Sequence, residues 1–183
     1  DMIFASYWYN NKIKGYSSND VIRDYLENDA IPSELVVVDD YIGSGDTFID
    51  ALSNMFSISP ELQNSKIYIL ALHTTTIGLK NLEQFKTKLG IDLTIIYLDY
   101  TDKAFKEDYI FSRIEVRLKQ EQYELICKEK KVSENTILGY KDIQSLVSFE
   151  KTTPNDTLGL FWHNAENFVA LFHKNVVPRN TSL

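Results

Sequence analysis

The chain has 183 residues, 44% of them hydrophobic and 25% charged, and carries a net charge of -7. That composition excludes a disordered or fibrous chain and suffices for one good core, so a single domain over 1–183 is expected. The acidic balance opposes nucleic acid or an anionic membrane surface as a simple electrostatic partner.

Met2 to Tyr9 is apolar and aromatic enough for a strand or a helix end, and Asn10 to Gly15 reads as a break. Ser18 or Asn19 can cap a short helix with an inner face of Val21, Ile22, Tyr25 and Leu26, closed by Pro32. Leu35 to Val38 is a β-branched run suited to a strand buried on both faces. A five-residue loop, Gly43 to Thr47, leads into a helix whose apolar positions Phe48, Ala51, Leu52, Met55 and Phe56 recur at helical spacing. Pro60 and Asn64 mark a loop. Lys66 to Leu72 then reads as a strand, Leu79 to Leu89 as a helix and Leu93 to Leu98 as a third strand. Strand, helix, strand, helix, strand predicts an α/β fold with an open, mainly parallel sheet flanked by helices.

The later strands end in His73-Thr74-Thr75-Thr76 and Asp99-Tyr100-Thr101-Asp102, on the rim where such sheets bind ligands. Helix capping is the first reading for the threonines and a solvated turn for the acids. Lys103 to Lys131 suggests one long helix or two consecutive ones, with Lys128, Lys130 and Lys131 as a solvated basic end. Cys127 is the only cysteine, which rules out an internal disulfide or a thiolate metal site. His73, His163 and His173 are too scattered to propose zinc. No run of 18 apolar residues and no signal-peptide layout is present, so a cytoplasmic protein with no membrane partner is expected.

The chemistry concentrates in Leu35-Val36-Val37-Val38-Asp39-Asp40-Tyr41-Ile42-Gly43-Ser44-Gly45-Asp46-Thr47. Glycines let the backbone bend close to a ligand, and free amides at a helix start, helped by the Ser44 and Thr47 hydroxyls, can cradle a phosphate. Asp39 and Asp40 just before it can hold sugar hydroxyls or a magnesium ion (Mg2+). The order of these features resembles the ribose-5-phosphate signature of type I phosphoribosyltransferases. By that resemblance Asp39 and Asp40 contact the ribose 2′- and 3′-hydroxyls, Gly43, Ser44, Gly45, Asp46 and Thr47 wrap the 5′-phosphate, and the ligand is a phosphoribosyl or nucleotide compound such as phosphoribosyl pyrophosphate. Two departures stand out. Gly43 occupies the place where purine-salvage members carry an aspartate base, and Asp46 adds a carboxylate beside the phosphate unless it caps the helix.

Farther on, Leu138-Gly139-Tyr140 leads to Thr153-Pro154-Asn155-Asp156-Thr157, then Phe161-Trp162 and Leu171-Phe172. With the loop signature, this pattern is similar to the bacterial PRTase-CE family, phosphoribosyltransferase-like proteins associated with conflict and antiviral gene systems. The resemblance implies an effector or component of an antiviral defence system, with other subunits of a defence complex, including a nucleic-acid component, as partners. A catalytically silent sensor or scaffold is the alternative. Pro154, an Asn155 Asx-turn and the Phe161-Trp162 pair are read first as structural, and Asn155 and Trp162, with His73 and Thr74, as candidates for the pocket wall. Type I enzymes place their pyrophosphate loop and hood upstream of the signature. Only 34 residues precede Leu35, and the reading allows for a missing upstream part.

Overall fold

Three apolar strands joined by two amphipathic helices carry the acidic signature on their shared rim. The computed structural model describes residues 3–8, 12–16, 31–150, 153–164 and 168–172, the first two ranges as backbone. The chain divides into two units, Asp1–Thr101 and Asp102–Leu183, taken here in turn.

In the first unit β1 (Ile3–Trp8), β2 (Lys12–Tyr16), β3 (Glu34–Ile42), β4 (Lys66–Thr75) and β5 (Asp92–Thr101) form one sheet in the order β2-β1-β3-β4-β5. β1 runs antiparallel to both neighbours, while β3, β4 and β5 are parallel. Helix α1 (Asp46–Ile58) connects β3 to β4, and α2 (Thr76–Leu89) connects β4 to β5. Both crossovers step the same way across the sheet, so right-handed connections put both helices on one face. The core lies there: Phe48, Leu52, Met55 and Phe56 of α1 and Leu82 of α2 pack with Leu35, Val37, Ile67, Ile69 and Leu93. Each such side chain contributes about 1.5–3 kcal/mol by leaving water. The opposite face is only partly covered. Val36, Val38 and Leu70 are half-buried and Leu98 is 81% exposed, so the expectation that β3 is buried on both faces holds for one.

The expected parallel α/β sheet is present, with different boundaries. Lys12–Tyr16 is a strand, not a break, because it pairs as a hairpin with β1 from Phe4↔Tyr16 to Trp8↔Lys12. β4 and β5 run through His73–Thr75 and Asp99–Thr101, where ladder pairing such as His73↔Asp99 carries both strands past the expected ends at Leu72 and Leu98. The short helix expected around Val21 to Leu26 lies outside the described residues.

In the second unit the helix expected over Lys103 to Lys131 is confined to α3 (Val116–Glu129). The preceding stretch is held in turns by a distant partner, Gln144, and a near one, Asp108. Ala104 N donates to Gln144 O at 3.0 Å and Phe105 N to Gln144 Oε1 at 3.1 Å, while Asp108, at φ 56°, accepts from Arg113 N at 2.9 Å. Those bonds satisfy amides that a helix would otherwise use. Cys127 is fully buried with Val132 and Ile137, and burial pushes its thiol up.

The strand expected over Ser145 to Phe149 reduces to a single bridge, Ser145↔Thr157. Segments 137–145 and 155–159 instead exchange bonds between irregular backbones: Tyr140 N to Asn155 O at 2.8 Å, Ser145 N to Asp156 O at 3.0 Å and Gly159 N to Ile137 O at 3.0 Å. The turn at Pro154 closes from Thr157 N to Pro154 O at 3.1 Å, not through the Asn155 side chain. Gly139 has φ +76°, and a Cβ there would overlap the Asp156 carbonyl oxygen. Both glycine properties, left-handed backbone and absence of a side chain, are therefore used. Gly139→Ala is expected to destabilise the protein by about 3 kcal/mol, read as a lowered urea midpoint.

Candidate functional site

β3 delivers both acids to the rim, and strand alternation sends them to opposite faces. Asp39 follows Leu35 and Val37 toward the helix side and is half-buried, while Asp40 is exposed. The Asp40 amide donates to Asp39 Oδ1 at 2.9 Å, which ties the first carboxylate to its own strand. Burial, and then the neighbouring Asp40 carboxylate, push the Asp39 carboxyl up to about 6. A groove of about 560 Å3 runs back from the acids between Val38, Leu70, Leu72, Ile96 and Leu98. Asp39 and Asp40 border its rim end.

After Ile42 the chain turns in three residues, Gly43, Ser44 and Gly45, because α1 begins at Asp46. Asp46 and Thr47, read as loop, are thus the first two residues of the helix. Gly45 takes the left-handed conformation, φ 83°, and its carbonyl accepts the first helical bond from Ile49 N at 3.0 Å. The amides of the first helical turn have no partner within a helix and carry its positive dipole end. One of them is already engaged: Asp46 N donates to Ser44 Oγ at 3.3 Å, and that hydroxyl donates to Asp46 Oδ2 at 2.7 Å. Asp46 therefore acts as a local clamp on the turn. Thr47 is exposed, whereas Ser44 is buried.

The start of α2 holds this turn from behind. Thr75 Oγ1 donates to Gly43 O at 2.6 Å, Asn81 Nδ2 to Ser44 O at 2.9 Å, and Thr74 Oγ1 to Ile42 O at 3.4 Å. Thr75 also caps α2 by accepting from Gly78 N at 3.0 Å. A Cβ on Gly78 would overlap the Gly43 carbonyl oxygen and stand 2.9 Å from Ile42 Cγ2. With its carbonyls tied down on the α2 side, the turn has its remaining polar groups, the amides, to offer a ligand. Capping of α2 by Thr75 agrees with the first reading of the threonines, whereas its bond to Gly43 and the parts played by Gly78 and Asn81 are what sequence reasoning passes over. The only signal for them is a threonine at a helix start followed three residues later by glycine.

Thr74 is fully buried beneath the turn. His73 is half-buried on the rim, stacked on Tyr41 and paired with Thr101. Asn155 and Trp162 belong to the second unit. Asn155 is exposed with its carbonyl bonded to Tyr140 N, and Trp162 Nε1 donates to Thr157 O at 2.8 Å.

A family model matches this arrangement over most of the chain: the model named PRTase-CE covers residues 5–174. The chain belongs to the PRTase-CE family. No curated protein and no solved structure matches it. As a PRTase-CE member it is a phosphoribosyltransferase-like protein, with an open parallel sheet flanked by helices. Among the described residues of this PRTase-CE chain no helix is long and apolar enough to cross a membrane. Nor do three or more His, Cys, Asp or Glu side chains among them gather to hold a metal ion. Magnesium characteristically takes one or two carboxylates and completes its octahedron with substrate oxygens and water. The Asp39–Asp40 donor set fits an ion shared with a phosphorylated ligand, and does not fit one held by protein side chains alone.

Two outcomes follow from this geometry. The folded state holds the Asp39 proton more tightly than the unfolded chain, whose carboxyl titrates near its ordinary value of 3.8, so wild-type stability declines as pH rises from about 4 to about 6. Asp39→Asn is expected to melt above wild type at pH 7 and to lose that advantage below pH 4, in thermal denaturation across pH. Gly78→Ala is expected to cost about 3 kcal/mol of stability by pushing the turn off α2, measured by urea unfolding.

Proposed function

We propose that this phosphoribosyltransferase-like protein binds the ribose-5-phosphate moiety of phosphoribosyl pyrophosphate and transfers it, as an effector or component of a bacterial antiviral defence system. The observation that carries the ligand reading is the turn itself. Its carbonyls are bonded away to Thr74, Thr75 and Asn81, next to a helix N-terminus and directly after two carboxylates on the rim. In this reading the amides of the Gly43–Thr47 segment take the 5′-phosphate, and Asp39 and Asp40 accept bonds from the 2′- and 3′-hydroxyls.

The chemistry is displacement at the anomeric carbon, with pyrophosphate leaving and positive charge developing on the sugar. Two carboxylates beneath that charge stabilise it more than they stabilise the neutral ground state. Asp39 and Asp40 would also hold magnesium, which supplies charge neutralisation for the leaving pyrophosphate. Ligand binding needs Asp39 ionised, so affinity is expected to weaken as pH falls below about 6. The defence role is supported by the resemblance of the Leu138–Trp162 segment to proteins of antiviral gene systems. In such a complex the partners are other defence subunits, one of them containing nucleic acid.

A sensor without turnover is the second reading, and one observation favours it: Gly43 has no side chain where purine-salvage enzymes place a base. Thermal denaturation with phosphoribosyl pyrophosphate and magnesium tests both. Ligand at a hundredfold over its Kd should add about 2.7 kcal/mol, lost in Asp39→Asn/Asp40→Asn. No shift in the wild type overturns enzyme and sensor alike. When a shift is present, pyrophosphate release with added acceptors identifies the enzyme, and its absence identifies the sensor.

A further inference from the structure

The sheet row one step nearer the rim than Asp39 carries a second chemical set. Tyr41, His73 and Asp99 share one register position across β3, β4 and β5. The His73 ring lies parallel to Tyr41, with centroids 6.1 Å apart and planes at 13°. Its Nε2 is 3.1 Å from Thr101 Oγ1, two residues along β5 from Asp99. The Asp99 carboxylate, held by the Tyr100 amide at 2.8 Å, acts on the ring electrostatically. An imidazole clamped on one side by an aromatic face, with one nitrogen bonded to a hydroxyl and a carboxylate beside it, is more ordered than a rim histidine needs to be for solubility.

We infer that His73 is the base that takes the acceptor's proton in a phosphoribosyl transfer at this site, with Thr101 holding its Nε2 and Asp99 stabilising the imidazolium. The inference rests on the ribose-phosphate reading above. Asp39 and His73 lie on neighbouring strands, two residues apart in register, which sets their Cα atoms about 8 Å from each other. That separation leaves room for a ribose held by Asp39 and an acceptor atom between its anomeric carbon and the imidazole. When Nε2–H donates to Thr101, the Nδ1 lone pair stays free. The acceptor X–H attacks the anomeric carbon, the bond to pyrophosphate breaks with its electron pair leaving on the pyrophosphate, and the proton of X passes to Nδ1. Water then returns His73 to the neutral form.

The protonation state suits the task. Burial holds His73 below its ordinary value, opposed by the Asp99 charge, so the ring is predominantly neutral at pH 7 and able to accept a proton. From β3 the facing group is the Tyr41 phenol, and from β5 Asp99 and the Thr101 hydroxyl. Gly43 removes the base that purine-salvage relatives use, and His73 supplies one from the next strand instead.

The test measures pyrophosphate release from phosphoribosyl pyrophosphate and magnesium, with water, adenine, guanine and uracil as acceptors, beside the ligand-induced thermal shift. His73→Gln should lower kcat about 100-fold or more with the shift unchanged. His73→Ala should regain part of its rate on adding imidazole, which a purely structural histidine would not allow. Asp99→Asn should lower kcat without altering the shift. Release by His73→Gln at the wild-type rate overturns the inference, as does loss of the shift together with the rate. A wild type that shows the shift but releases no pyrophosphate also overturns it, leaving the ligand reading standing. A wild type without a shift overturns both.

Discussion

The seating of the Gly43–Gly45 turn on the first turn of α2 is the constraint on which the site depends. Three side chains of the β4–α2 junction donate to three successive carbonyls, and Gly78 lets the two backbones approach more closely than any other residue would. Each bond is worth only about 1 kcal/mol net. Their collective effect is directional: a turn whose carbonyls are committed on one side has its amides left for the other. The same threonine that holds the turn caps α2, so helix start and ligand loop are ordered by one hydroxyl.

From that seat the rest of the first unit follows. The turn sets the start of α1, and α1 in turn presses Phe48, Leu52 and Met55 onto the sheet, which keeps β3 and its acids in register with β4. Asp39 is held where burial makes its charge costly, so the folded protein carries a carboxylate that resists ionisation. That cost is a reason to expect a ligand, because hydroxyls or a cation at Asp39 would relieve it. The second unit works by different means. Its irregular segments are joined by backbone bonds across tightly approaching glycines, and the tail pattern that marks the family reads as the condition for those approaches.

The parallel strand–helix alternation and the acid pair were legible because they rest on local signals: β-branched runs, helical periodicity, two acids and a Gly-Ser-Gly turn. The elements that were misread share a cause. Lys12–Tyr16 looks like a break until β1 lies beside it, and Asp99–Thr101 looks like a solvated turn until β4 pairs with it. The aromatic stretch before Val116 has helical spacing, but amides at its start are claimed by Gln144. In each case a partner distant in sequence decides which of two locally acceptable conformations wins. The bond from Thr75 to Gly43 and the parts played by Gly78 and Asn81 were illegible for the same reason, since they exist only against residues more than thirty positions earlier.

By itself the sequence determined the class of fold and the family, and singled out the acid pair and the Gly-Ser-Gly turn, because hydrophobic period and motif order are properties of contiguous residues. Only the tertiary structure decided that Asp46 clamps Ser44, that the loop carbonyls face α2, that Asp39 is the half-buried member of the pair, and that Tyr41, His73 and Asp99 fall in one row. Those facts depend on register and on backbone-to-backbone distance, and neither is written in any single stretch of the chain.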